Sequence, residues 1–460
     1  MTFNQLKSRR DFLRYGCRTI STIGAASAFG QAGLLNAQAG APGGYKALVC
    51  IFLFGGSDAN NMLVPNDAAG YKTYQTVRQN LAIPQASLVP IVSGAAQFGL
   101  HPSFAPIAGL YNNPAATGGK LALVANVGTL VNKVPMLNNK PNLGAVKLPL
   151  NLYSHSDQTA EWQNGVPQGG ATTGWSGRLA DKIAALYGTS AFPTSIGITG
   201  NALQLNGVST QPTTVNTNNF GLLGNDKSAA SDARLAALQQ MLNLSSGVTL
   251  IQAAQNSLKS ALDVANKIDQ AVTGSSPLAT QFPNTDIGQQ LLQVAKIIQV
   301  RAALGVTRQI FFCGQGGYDT HSAQLGQQAT LFGDLAGAMA AFDQAMGQLT
   351  VQNNVTTFTE SEFSRTFQPN GNAGTDHAWG SHALVMGGAV QGGKIYGTFP
   401  TLALGGPDDS GNRGNWVPTT ATDQYGGALA KWFGVTAHGD LDYVFPNLTN
   451  FGYSTLGVLG

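Results

Sequence analysis

Short runs of consecutive apolar residues alternate along the chain with longer segments whose apolar residues recur every three or four positions. A short apolar run bounded by glycine or polar residues is typical of a strand buried on both faces of a parallel sheet, and the longer spacing is typical of amphipathic helices. The runs cover residues 45–55, 120–127, 309–313, 354–358 and 382–386, and the clearest helical segments are 288–304 and 324–349. This alternation predicts an α/β fold with a doubly wound, mostly parallel sheet and helices on both faces.

Residues from about 206 to 286 interrupt this alternation. Two helical patterns, at 229–244 and 251–271, lie there between ends rich in Asn, Thr and Ser. We interpret the segment as a helical insertion into one domain that spans residues 40–460, rather than as a second domain. Residues 132–150, which are rich in Pro, Asn and Lys, form another predicted excursion, of a kind that is often functional.

The N-terminus resembles an export signal. The pair Arg9-Arg10 is followed by an apolar pair and a further cation, and then by a weakly apolar stretch over residues 19–35. Ala37-Gln38-Ala39 has the small-x-small pattern that a signal peptidase cuts. We therefore predict that residues 1–39 are a twin-arginine signal peptide, that the translocase of that pathway is a transient partner, and that the mature protein is periplasmic or extracellular. A cytoplasmic amphipathic helix is the alternative.

The predicted mature chain is close to neutral. The whole chain has 25 Lys and Arg against 22 Asp and Glu, and the predicted signal peptide contains five of the basic residues and one of the acids. We therefore expect no nucleic-acid partner, and no later stretch is long and apolar enough to predict a membrane span. Cys50 and Cys313 lie in predicted strands, where we expect packed thiols; a disulfide between neighbouring strands is the alternative.

Acids and histidines collect where predicted strands end or begin. In an open α/β sheet the loops at the carboxyl ends of the strands meet in one crevice, so side chains in these loops come together. The chain has six histidines, and three of them stand beside acids in glycine-rich loops of this kind. Converging carboxylates and neutral imidazoles are ligands for zinc or for harder divalent ions. The candidate metal ligands are Asp58, Asp319, His321, Asp376, His377 and His382.

The segment around His155 is a second candidate for chemistry. Ser154 and Ser156 flank this histidine directly before a helical pattern. A hydroxyl at such a position either caps the helix, helps to hold an anion at the helix N-terminus, or acts as a nucleophile, and His155 is then a ligand or a catalytic group. We take Ser154 and His155 as the candidate catalytic residues.

Arg365 follows two acids, Glu360 and Glu362, after another predicted strand. A guanidinium at this place either stabilises an oxyanion through a bidentate contact or forms an ion pair with one of the two preceding acids. We favour the ion pair.

The order of these motifs resembles the bacterial family known as domain of unknown function 1501, which is similar to the alkaline phosphatase and sulfatase superfamily. The resemblance extends over nearly the whole predicted mature chain. The motifs that carry it include FLFGGSDANN at 52–61, LHPSF at 100–104, SHSDQTAEW at 154–162, GGYDTHSAQ at 316–324, SEFSRT at 361–366 and GTDHAWGSH at 374–382.

The resemblance implies an alkaline phosphatase-like fold and a site for divalent metal ions, whether zinc, magnesium, manganese or calcium. It implies one metal position formed by Asp58, Asp376 and His377. It implies a companion position formed by Asp319, His321 and His382. The chain departs from the superfamily pattern because Asp319 and His321 are separated by a single residue, and because no Cys/Ser-x-Pro-x-Arg pattern marks a nucleophile.

Two functions follow as hypotheses. The first is an exported, metal-dependent hydrolase that acts on small anionic substrates, namely phosphate or sulfate esters, with a hydroxyl nucleophile near residues 154–159. The alternative is a non-catalytic exported protein, of cell-surface or secretion-associated binding type, that keeps the hydrolase scaffold. A protein partner is compatible with both hypotheses, but the sequence identifies none.

Overall fold

The computed structural model describes residues 44–112, 119–190, 192–198, 200–217, 220, 228–245 and 247–460. The predicted signal peptide, residues 1–39, lies outside these ranges. Export by the twin-arginine route therefore stays a prediction.

Fourteen strands and ten α-helices occur in the described ranges. The strands are β1 (Lys46–Leu53), β2 (Leu63–Pro65), β3 (Val89–Ser93), β4 (Ala96–Leu100), β5 (Leu121–Gly128), β6 (Met136–Leu137), β7 (Lys140–Pro141), β8 (Ser195–Gly197), β9 (Thr213–Thr214), β10 (Arg308–Gln315), β11 (Val355–Glu360), β12 (Ser381–Met386), β13 (Ile395–Gly397) and β14 (Thr420–Ala421). The helices are α1 (Ala68–Arg78), α2 (Ala105–Tyr111), α3 (His155–Asn164), α4 (Trp175–Tyr187), α5 (Ala229–Leu242), α6 (Thr249–Thr273), α7 (Asp286–Gln299), α8 (Gln324–Gln348), α9 (Thr422–Phe433) and α10 (His438–Val444).

The central sheet has the strand order β13-β5-β12-β11-β1-β10-β8-β9, and β14 also pairs with β5. All neighbours are parallel except β12, which runs antiparallel to both β11 and β5. The five predicted apolar runs coincide with the strands β1, β5, β10, β11 and β12, whose residues are almost all buried. The prediction of an α/β fold with a mostly parallel sheet is therefore confirmed. The direction of β12 was not predictable, because a short apolar run carries no signal for strand direction.

Helices cover both faces of this sheet. On one face, Leu48, Cys50 and Phe52 of β1 share a buried cluster with Trp162 of α3 and with residues of α4, α9 and α10. Side chains alternate between the faces of a strand, so the intervening residues of β1 point to the other face. There α7 packs on β10 and on α8.

The same alternation explains the two cysteines. Cys313 of β10 is the register partner of Ile51, whereas Cys50 is the partner of Phe312, so the two thiols point to opposite faces of the sheet. Both cysteines are buried and free. The expectation of packed thiols is confirmed, and the alternative of a disulfide is wrong because a bridge cannot cross the sheet between opposed side chains.

Helices α5 and α6 belong to a compact unit that includes residues 218–275. They occupy the region of the two helical patterns, and Gln255 of α6 donates hydrogen bonds to the carbonyls of Met241 and Leu244 at the end of α5 and after it. Residues 206–217 and 276–286, the outer parts of the predicted insertion, belong to the unit that contains the sheet.

Two smaller sheets lie within the sheet-containing unit. Strands β2, β4 and β3 form an antiparallel sheet, and β6 and β7 form a hairpin in the segment between β5 and α3. None of the helices in the described ranges combines the length and the apolar character that a membrane span needs.

Candidate metal-binding site

The candidate site lies at the carboxyl ends of three adjacent parallel strands. Strands β11, β1 and β10 are neighbours in the centre of the sheet, and their following loops carry the 361–366, 54–58 and 316–321 segments. Strand β12 runs in the opposite direction, so the segment that precedes it, residues 374–380, reaches the same edge. This topology brings together four of the motifs that the sequence placed far apart.

Three side chains at this edge are spaced like metal ligands. His155, Asp319 and His377 each offer one ligand atom, and these three atoms lie within 4.8 Å of one another. The Nε2 atoms of His155 and His377 are each 3.5 Å from Oδ1 of Asp319. A third imidazole stands beside them, since Nε2 of His321 is 3.0 Å from the same carboxylate oxygen and 3.0 Å from Nε2 of His377.

Each of the three imidazoles has an outer partner at its other nitrogen. Nδ1 of His377 lies 2.7 Å from the carbonyl oxygen of Tyr153. A carbonyl only accepts, so this Nδ1 donates and the lone pair of the neutral ring is at Nε2. Nδ1 of His155 bonds to Oε1 of Glu362 at 2.9 Å.

Nδ1 of His321 is 3.5 Å from Oδ1 of Asp376. The three outer partners therefore hold each ring with its Nε2 atom toward Asp319, the arrangement by which proteins orient histidines around a metal. Nε2 of His155 is buried and has no hydrogen-bond partner among the described residues. An unpartnered buried nitrogen is costly, and a metal ion at this point would satisfy it.

A fully buried arginine lies beneath the cluster. Arg365 pairs through Nη2 with Oδ1 of Asp319, and its Nη1 lies 3.3 Å from Nε2 of His321. Its Nε donates to the carbonyl oxygen of Gly56 at 2.9 Å, and Nη1 donates to that of Thr375 at 3.3 Å. The favoured ion pair of Arg365 with Glu360 or Glu362 is wrong, because the guanidinium turns toward the β10 loop instead.

These charges shift the protonation of the cluster. Burial raises the pKa of Asp319, but the hydrogen bond and the charge of Arg365 outweigh burial, so its pKa lies below the usual value. The hydrogen bond to Glu362 raises the pKa of His155 against the opposing effect of burial. Burial lowers the pKa of His377. These shifts favour the ionised carboxylate of Asp319 and the neutral ring of His377, the forms that bind a metal, whereas the shift of His155 favours its protonated form.

Asp58, the first predicted ligand, lies outside this cluster. It follows β1, but its carboxylate is only 1% exposed and pairs with Arg78 at the end of α1. It also accepts from the side chain of Gln324 and caps the short 3₁₀-helix Ala59–Asn61. The predicted trio of Asp58, Asp376 and His377 is therefore not brought together within ligating distance of one ion.

The three ligands of the predicted companion metal position, Asp319, His321 and His382, are not all brought together either. Asp319 and His321 lie together in the cluster, whereas His382 is buried elsewhere and accepts a 3.0 Å hydrogen bond from the backbone N–H of Asn126 at Nδ1. Asp376 stands in the outer layer, where it pairs with Arg413 at 2.6 Å and contacts His321.

The two candidate catalytic residues also differ in placement. His155 is the first residue of α3 and lies in the cluster, whereas the Ser154 hydroxyl donates to Asp157 at 2.6 Å and makes no capping bond to the helix backbone. A cavity of about 440 Å³ opens beside the cluster. Its walls are Phe54, Gly55, His155, Ser156, Thr159, Gly316, Gly317, Asp319 and Glu362. Ser156 and Thr159 thus contribute the hydroxyls of this cavity.

Glu362 and Arg365 are the site residues whose roles the sequence did not predict. Both follow β11, the strand next to β1, so their position after a strand was a usable signal. The missing information was the pairing itself, because Glu362 orients a histidine on α3 and Arg365 pairs with a carboxylate after β10.

Fold and site together define an α/β protein with a histidine and carboxylate cluster at the carboxyl edge of its sheet. The family model described as "Protein of unknown function (DUF1501)" matches residues 45–410, and the chain belongs to this family. No curated protein matches the chain in sequence.

Several solved structures are similar to the chain at low identity. The PsFucS1 sulfatase from Pseudoalteromonas sp. has 10% identity and a TM-score of 0.31, with 92% of this chain and 72% of that chain covered. The lipoteichoic acid synthase LtaP from Listeria monocytogenes has 8% identity and a TM-score of 0.31, with 81% and 74% covered. The phosphonate monoester hydrolase of Agrobacterium radiobacter has 8% identity and a TM-score of 0.28, with 79% and 72% covered.

Proposed function

We propose that this protein is a metal-dependent hydrolase of phosphate or sulfate esters, with one divalent cation held by His155, Asp319 and His377. The observation that carries the proposal is the convergence of imidazole nitrogens on one carboxylate oxygen, with the Nε2 atom of His155 buried and unpartnered. His321, whose Nε2 atom lies 3.0 Å from Oδ1 of Asp319, is the candidate fourth ligand.

The donor set fits a transition metal better than magnesium or calcium. Imidazole nitrogens suit zinc and its neighbours, whereas magnesium and calcium prefer oxygen ligands. Three imidazoles and one carboxylate are within the usual range of zinc sites. Two of the imidazoles already have the outer hydrogen-bond partner that such ligands need, and Asp376 lies 3.5 Å from Nδ1 of the third. Zinc is therefore the first metal to test.

When bound, a divalent cation supplies a Lewis acid for an ester oxygen and acidifies a bound water. The residues of the chain supply the rest of the site. Arg365 adds a fixed positive charge that favours an anionic ester, and Glu362 holds the ring of His155 in place. The hydroxyls of Ser156 and Thr159 line the cavity where a substrate would lie, and they are the candidate nucleophiles alongside water.

The export prediction belongs to the same proposal. Arg9-Arg10 and the Ala37-Gln38-Ala39 pattern support transport through the twin-arginine pathway, which carries folded proteins and so allows the metal to be loaded before export. Expression with the signal should give a chain whose N-terminus begins near residue 40. Replacement of Arg9-Arg10 by Lys-Lys should leave the uncut chain in the cytoplasm, and export that persists in this variant would contradict the assignment.

The test of the hydrolase combines metal analysis with an activity screen. The folded protein is dialysed against zinc, its metal content is measured by mass spectrometry, and aryl phosphates, phosphodiesters and sulfate esters are offered as substrates. His377→Ala should lower zinc affinity on the order of 100-fold or more and abolish turnover. His438→Ala is the matched control, because His438 stacks on Tyr453 and is not part of the cluster.

The outcomes separate the two candidate functions. Zinc binding that depends on His377, together with ester hydrolysis, supports the hydrolase. Zinc binding without turnover on any of the three ester classes favours the non-catalytic binding protein. A wild-type protein that takes no zinc contradicts the metal site itself.

A further inference from the structure

We propose that Arg78 takes the place of a metal ion at Asp58, so that the site holds a single divalent cation and not two. The inference rests on the proposed function, since it concerns the metal capacity of the same edge of the sheet. It starts from the carboxylate of Asp58, whose two oxygens are both fully engaged by protein donors.

The contacts of Asp58 leave no lone pair for an ion. Oδ1 accepts from the backbone N–H and from the side-chain amide of Asn60, each at 3.0 Å. Oδ2 accepts from Arg78 and from the side chain of Gln324. A carboxylate offers about four acceptor positions, and four donors occupy them here.

Arg78 is equally committed. Its side chain is fully buried, and its Nη2 atom pairs with Asp58. Nε donates to Oδ1 of Asn61 at 3.2 Å, while Nη1 donates to the carbonyls of Thr366 and Phe367 at 3.3 and 3.2 Å. The guanidinium therefore links α1, the segment after β1 and the segment after β11, and a permanent charge with this many partners cannot move aside without large cost.

A metal ion at Asp58 would also be repelled by the positive charge of Arg78. A divalent cation would have to bind through carboxylate lone pairs that the guanidinium and the three other donors already occupy. Asp58 is the only acid among the described residues with which Arg78 forms an ion pair, so Arg78 would lose this counter-charge while remaining buried. The positive charge beside Asp58 is thus the guanidinium of Arg78 and not a metal ion, and the carboxylate of Asp58 neutralises it.

Asp319, in contrast with Asp58, is accessible to a metal ion. Arg365 also pairs with it, but the side chain of Asp319 is 50% exposed, and its recorded contacts with Arg365 and the three histidines all use Oδ1. The histidines around Asp319 supply lone pairs, whereas the lone pairs of the Asp58 carboxylate are already occupied by four donors, one of which is Arg78. The geometry therefore assigns the ion to the Asp319 cluster alone.

The experiment counts zinc and cobalt ions per chain in the wild type, in two test variants and in one control variant. We expect one ion in the wild type and none in His377→Ala. We expect two ions in Arg78→Ala, because removal of the guanidinium leaves Asp58 as an unpaired buried carboxylate beside a vacated volume. Lys120→Ala is the matched control, since Lys120 forms a partly exposed pair with Asp343 and its removal should leave the count at one.

Each outcome decides between the assignments. Two ions in the wild type with one left in His377→Ala would place an ion at Asp58 and overturn the inference, and this comparison needs no variant of Arg78 to fold. A folded Arg78→Ala protein that still holds one ion, at zinc concentrations that saturate the first site, would also overturn it. A wild type without any ion would contradict the proposed function, but would agree with the assignment of Asp58 to Arg78.

Discussion

Asp58 and Asp319 follow neighbouring parallel strands, β1 and β10, and the carboxylate of each contacts a fully buried arginine. Their surroundings differ. Asp58 is 1% exposed and is surrounded by donors, whereas Asp319 is 50% exposed and is surrounded by imidazoles, one of which has an unpartnered nitrogen. Polar groups with a structural role usually have all their hydrogen-bond partners, whereas an unpartnered polar atom in a cluster of titratable side chains is typical of a binding site.

The histidines also fall into two groups, one buried in a structural setting and one at the edge of the sheet. His382 is buried, and its Nδ1 accepts a hydrogen bond from the backbone N–H of Asn126, so this nitrogen is not available to a metal ion. His155, His321 and His377 lie at the edge of the sheet, each with an outer partner and with Nε2 toward a common point. The predicted ligands thus form two regions, a buried structural network and an exposed cluster, although the sequence places both at the ends of strands.

The largest difference should appear when the two aspartates are removed. Asp58→Ala leaves Arg78 as an uncompensated buried charge, so we expect the free energy of unfolding to fall by about 3–5 kcal/mol. Asp319→Ala also leaves a buried guanidinium, that of Arg365, but the vacated position is half-exposed, so water can solvate the charge and we expect a smaller loss of about 1 kcal/mol. Urea denaturation followed by circular dichroism measures both values. Equal losses in the two variants would mean that the buried and the exposed aspartate have the same structural role.

The second difference concerns pH. Burial lowers the pKa of His382 to about 4 in the folded protein, whereas an unfolded histidine titrates near its ordinary value of 6.5. Between these values the unfolded chain binds the additional proton, so His382 should reduce stability as the pH falls from about 6.5 to about 4. The loss should reach about 3 kcal/mol at the acid end of this range.

His382→Asn isolates this contribution, because Asn keeps an acceptor for the N–H of Asn126 and does not titrate. The unfolding free energies of the wild type and of this variant are compared from pH 7.5 to pH 4. We expect the difference between them to change by about 3 kcal/mol in favour of the variant as the pH is lowered. Curves that stay parallel over this range would show that His382 is not held neutral by burial.

Much of the fold follows from the hydrophobic pattern, because strands buried on both faces leave continuous apolar runs. Strands β1, β5, β10, β11 and β12 were predicted on this basis. Strands β8 and β9 were not, since three and two residues at the sheet edge leave no run to detect. Strand direction was also not predictable, and the antiparallel β12 is what brings residues 374–380 to the site.

The site was predicted less completely, because residue type and position after a strand do not reveal partners. Asp58 and Asp319 have the same local signal, an acid in a glycine-rich loop after a strand. The guanidinium that distinguishes them comes from α1 in one case and from the segment after β11 in the other. Pairings of this kind depend on tertiary packing, and no spacing within either motif encodes them.

The smallest expected effect tests the outer layer of the exposed cluster. Glu362 accepts from Nδ1 of His155 at 2.9 Å and from the backbone N–H of Gly55 at 2.7 Å. Glu362→Gln keeps an acceptor oxygen of similar size but removes the negative charge that makes the imidazole a stronger ligand. We expect the affinity for zinc to fall by about 10- to 100-fold with the fold retained.

Glu360→Gln is the matched control for this experiment. Burial raises the pKa of Glu360 to about 8, so the carboxyl is largely neutral at pH 7, and a neutral amide of the same size should leave zinc affinity nearly unchanged. Isothermal titration with zinc at pH 7 measures both variants. An equal loss of zinc affinity in both variants would mean that Glu360 and Glu362 act on the site through packing and not through charge. An unchanged affinity in Glu362→Gln would mean that the charge of Glu362 does not tune His155. Only a loss confined to Glu362→Gln supports its role in tuning the metal ligand.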